Sequence, residues 1–72
     1  MEGWTKILTS QNSFLAQMIT LDLQAAGFDA VLVNKKDSSY VNFGFCEVFV
    51  PASVGLEAQI WLFDNHPDAQ QT

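Results

Sequence analysis

Apolar and polar positions change their period from segment to segment along the chain. Trp4 to Leu8 alternates weakly and predicts a first strand. Thr9 to Ser13 is polar and offers Ser10, Asn12 and Ser13 as helix N-caps. From Phe14 to Ala26 the period becomes helical, and Gly27 stands where a helix-terminating glycine belongs. Phe28 to Val33 is a short apolar run that reads as a strand buried on both faces. Asn34 to Gly44 is polar and reads as a loop. Phe45 to Val50 alternates Phe45, Glu47 and Phe49 against Cys46, Val48 and Val50, which predicts a third strand ended by Pro51. Ser53 is placed to cap a second helix reaching about Asn65, with Leu56, Ile60 and Phe63 as its core stripe and Trp61 widening it. Pro67 blocks continuation, so 1–65 is one domain and 66–72 a frayed tail.

The order β-α-β-β-α defines an α+β fold. The first βαβ crossover is expected to be right-handed, with room for a third strand between the two it joins. The second and third strands are close enough for an antiparallel hairpin. The expected architecture is therefore a ferredoxin-like half-sandwich lacking the last strand, with strand order 1-3-2 and both helices on one face of the sheet. The first strand is then an open edge, available to a partner chain.

Composition adds an oligomer to this picture. The 72 residues are 49% apolar but only 15% charged, well below the roughly 25% usual in globular proteins. A domain this small has the most surface to cover, so some apolar side chains must lie outside. The third strand is apolar on both faces: if the valines meet the helices, Phe45 and Phe49 meet something else. A second copy of the chain is the simplest cover, a dimer being the first expectation, with Trp4, Phe45, Phe49 and Asp22 as candidate interface residues. Asp22 earns its place by lying between the stripes Phe14, Met18, Leu21, Ala25 and Leu15, Ile19, Leu23, Ala26, where a carboxylate needs a partner or water.

Charge and chemistry mainly exclude. A net charge of −5 argues against nucleic acid, and no apolar run is long enough for a membrane span. One Cys and one His cannot form an internal disulfide or, alone, a Cys/His zinc site. There is no nucleophile elbow, P-loop or dinucleotide glycine pattern, so neither an enzyme nor a cofactor or metal is expected. Cys46 reads as a small buried hydrophobe, and His66 as part of a solvated helix end. One segment stands apart. Asn34, Lys35, Lys36, Asp37, Ser38, Ser39 and Tyr40 combine two of the three lysines with hydroxyls and the only tyrosine, while Phe43 and Gly44 anchor the loop. Such donors suit a small anionic metabolite, a nucleotide or a partner's acidic segment; a solvated hairpin loop held by Asp37 and Ser38 turn bonds is the plainer reading.

This loop also carries a resemblance. Asn34-Lys35-Lys36-Asp37-Ser38-Ser39-Tyr40, followed by Phe43-Gly44 and Glu47-Val48-Phe49-Val50-Pro51, is similar to a small bacterial family described as prokaryotic signal-transducing proteins, a domain without assigned function. Ala16 to Ile19, Leu23, Gly27-Phe28 and Ala30-Val31 extend the similarity over about residues 4 to 64. Asp22 departs from it, since an apolar residue is usual there, and so does the sparse charge of the second helix. The resemblance implies a ferredoxin-like or PII-like fold and a bacterial cytoplasmic regulatory protein. It implies no established activity, because the signal-transducing description rests on fold similarity.

Overall fold

The computed structural model describes residues 2–36 and 44–69. Strand β1 (Trp4–Ser10) leads into helix α1 (Ser13–Ala25), followed by β2 (Val31–Lys36) and β3 (Gly44–Pro51). A 3₁₀ turn at Ala52–Val54 opens helix α2 (Gly55–Asn65), and a second closes the described chain at Pro67–Ala69. β3 is the central strand, antiparallel to both neighbours, and the sheet order is β1-β3-β2. This is the α+β half-sandwich and strand order that the sequence predicts.

The ends of α1 follow from local chemistry. The Leu15 N–H donates to Asn12 Oδ1 at 3.1 Å, so Asn12 is the cap among the three candidates. At the other end Phe28 N–H donates to the Leu23 carbonyl and Gly27 N–H to that of Gln24, both at 3.0 Å. This pair of bonds is the Schellman closure, and it sets Gly27 at φ +103°, a left-handed conformation that favours glycine.

The core lies between the helices and one face of the sheet. Cys46, Val48 and Val50 of β3 are buried there with Ile19 and Leu23 of α1 and Leu62 of α2. The valine face therefore meets the helices. Ile7 and Leu8 are both buried because β1 bulges: Lys6 pairs with Phe49 and Leu8 with Val48, leaving Ile7 supernumerary in the ladder. That bulge accounts for the weak alternation of the first strand.

Several boundaries and faces differ from expectation. β1 extends to Ser10, and β2 begins at Val31 and continues through Lys36, so Asn34, Lys35 and Lys36 are strand residues laddered to Cys46, Phe45 and Gly44. Val31 and Val33 are half-buried because their face of the sheet is uncovered, while Leu32, opposite Val48, packs against the core. In α2 the expected core stripe points outward: Leu56 is 75%, Ile60 55% and Phe63 62% exposed. Gly55, Ala58 and Leu62 face inward instead. The reason is close approach, since a Cβ on Gly55 would stand 2.7 Å from Thr5 Cγ2 and only the small-residue side of α2 fits against β1. Ser53 is exposed within the 3₁₀ turn and does not cap α2, whose N-cap is Val54. Residues 66–69 are not simply frayed, for Pro67–Ala69 form a 3₁₀ turn and Ala69 is buried.

Candidate functional site

Pairing fixes which side chains share the uncovered face of the sheet. From β3 come Phe45, Glu47 and Phe49; from β1, Trp4, Lys6 and Thr9; from β2, Val31, Val33 and Lys35. Phe49 lies between Lys6 and Val31, and Glu47 between Thr9 and Val33. Phe45 is 44% exposed, while Trp4, Val31, Val33 and Phe49 are half-buried. Three of the four expected interface residues, Trp4, Phe45 and Phe49, are thereby brought onto one surface.

The middle of that surface is charged but internally satisfied. Lys6 Nζ donates to Glu47 Oε2 at 3.4 Å, and Lys35 Nζ lies 3.8 Å from Glu47 Oε1. The Glu47 side chain is only 14% exposed, so its carboxylate is spanned from both neighbouring strands. Its place between Phe45 and Phe49 is visible in the alternation, but its two lysine partners emerge only from the register. Lys35 is 64% exposed along its side chain and is turned to Glu47 across the sheet. Asn34 is exposed on β2. Asp37, Ser38, Ser39, Tyr40 and Phe43 lie outside the described residues, as does the side chain of Lys36, and Gly44 is the first residue of β3.

Asp22 does not join this surface. Its Oδ2 is 3.1 Å from Nε2 of His66, the residue that ends α2. The His66 ring stacks obliquely on Trp61 with centroids 5.7 Å apart, and Trp61 meets Phe28 edge-on at 6.4 Å. His66 is thus a strut joining the end of α2 to α1 rather than a solvated tail residue. A partner for Asp22 so distant in sequence leaves no local signal.

Two open concavities lie near the helix ends. One of about 340 Å³ is lined by Gln24, Gly27, Phe28, Asp29, Ala30 and Val31. The other, about 280 Å³, is lined by Leu15 and residues 65–69. Neither brings together a nucleophile and a base. Among the described residues there is no group of three or more His, Cys, Asp or Glu side chains placed to hold a metal ion, and no helix long and apolar enough to cross a membrane. Cys46 is a buried free thiol within the core. Comparison with protein-family models, curated proteins and solved structures returns no match.

Proposed function

We propose that this chain is a non-catalytic interaction module that works as a homodimer, joined through the uncovered faces of two sheets. The observation that carries this reading is the composition of that face: Trp4, Val31, Val33, Phe45 and Phe49 around a carboxylate already paired with two lysines. A covering surface therefore leaves the half-buried Glu47 carboxylate with its partners, which avoids the main penalty of burying an ionised group. The more exposed lysine side chains carry the one excess charge.

Charge also selects which faces of two copies meet. Lys6 and Lys35 against Glu47 leave the sheet face at +1, whereas α1 and α2 carry Asp22, Glu57 and Asp64 and no lysine or arginine. Helix layers brought together would set three acids against three, whereas two sheet faces oppose only one excess positive charge each, so the sheet faces repel less. Sheets stacked face to face at about 10 Å have the familiar geometry of a sandwich core. A regulatory role fits a small adaptor of this kind, and the resemblance to signal-transducing proteins agrees with it without adding independent weight.

Sedimentation equilibrium at micromolar concentration tests the reading. Two chains per particle are expected, with Phe45→Glu giving a folded single chain. A wild-type monomer across that range, or a variant that remains dimeric, overturns it.

A further inference from the structure

The helix layer is unusual on its outer side. The residues of α1 opposite its buried positions Ala16, Ile19, Thr20 and Leu23 are Phe14, Met18, Leu21 and Ala25. Phe14 is 72%, Met18 41% and Leu21 57% exposed, and with Gln17 these three line a shallow groove of about 240 Å³. On α2, Leu56, Ile60 and Phe63 form a second exposed ridge. Surface helices ordinarily put polar residues here.

The two ridges are separated by acids. Trp61 points toward Phe28 and His66, so the neighbouring positions Glu57 and Asp64 lie on the side of α2 nearer α1. Asp22 faces the same seam from α1, as its contact with His66 shows. All three acids are exposed. Among the described residues none has a lysine partner, and their one basic neighbour is His66 at Asp22.

We infer that this layer docks a cationic amphipathic helix from another protein. Leucine-like side chains of the partner would rest on the ridges, and its lysines or arginines would reach the acidic seam. The helix layer of a second copy is a poor occupant, because it brings the same negative charge and no cation, and the sheet face of a second copy holds both its lysines against Glu47. The inference uses neither the sheet face nor its pairing, so it stands or falls separately from the homodimer.

The probe is a fluorescein-labelled helical peptide with leucines along one face and lysines bordering them, titrated with the full chain and followed by anisotropy. Saturable binding is expected, weakened at least about tenfold when every lysine of the peptide is replaced by glutamate. Leu21→Gln combined with Ile60→Gln should weaken it by a similar factor, and Glu57→Gln should weaken it where Glu2→Gln does not. Circular dichroism checks that the variants keep the native spectrum, as expected for exposed positions. Equal affinity for the glutamate peptide, or unchanged affinity in the Leu21→Gln/Ile60→Gln chain, overturns the proposal. So does loss of self-association in that variant, which would make a second copy the occupant. Binding to phosphatidylcholine vesicles without binding to the peptide would assign the face to lipid and overturn it equally.

Discussion

At the scale of single residues, Gly55 shows how much a contact distant in sequence can demand. A methyl group there would press on Thr5 Cγ2 at 2.7 Å, across a packed joint between α2 and β1. Alanine is the better helix former, but this position opens the helix, where that advantage is smallest. Gly55→Ala is therefore expected to destabilise the domain by about 1–3 kcal/mol. Adding Thr5→Ser, which removes Cγ2, should restore part of the loss; chemical denaturation of the wild type and the two variants checks both steps. Gly27 was legible in the sequence, and Asn12 was narrowed to one of three cap candidates, because their roles are settled within a few residues. Gly55 and His66 were not, because Thr5 and Asp22 reach them only after folding.

At the scale of elements, α2 is the instructive case. Both of its sides are apolar, and periodicity favours the side with the larger side chains, Leu56, Ile60 and Phe63. Packing favours the other, since Gly55 and Ala58 let the helix axis approach the sheet while Leu62 fills the core. Leu62→Ala is expected to cost about 2–5 kcal/mol. Leu56→Ala should stay within roughly ±0.5 kcal/mol. The urea midpoints of the two variants check the assignment of faces; comparable shifts would contradict it. β2 teaches a related lesson. Its polar end, Asn34 to Lys36, reads as loop by composition, yet the ladder to β3 continues through it because backbone pairing is indifferent to side-chain polarity.

At the scale of the molecule, strand order was legible because the connections between strands restrict the topology, whereas the site was only half legible. The face shared by Phe45 and Phe49 follows from a period of two; the lysine bracket around Glu47 and the acid seam require knowing which elements lie side by side. The resulting segregation of charge has a measurable effect. All three lysines lie on strands, and five of the six exposed acids among the described residues, Asp22, Asp29, Glu57, Asp64 and Asp68, lie on or beside the helices, Glu2 being the sixth. Their mutual repulsion is long-ranged and screened by salt, while the Glu47 contacts are short and partly shielded from solvent. Raising sodium chloride from low to moderate concentration should therefore raise the midpoint of thermal unfolding at fixed protein concentration. A fall would mean that the Glu47 pairs outweigh the repulsion.

The extra residue in β1 has a consequence for how the chain tolerates change in length. Excising Ile7 would leave Lys6 opposite Phe49 and Leu8 opposite Val48, successive rungs of an unbroken ladder. Every other side chain of the strand would keep its present side, at the cost of one buried isoleucine. Removing a residue elsewhere in β1 while the bulge persists would instead exchange inside for outside along the residues on one side of the gap. Ile7 is thus a place in this strand where a codon could be lost without turning the strand over.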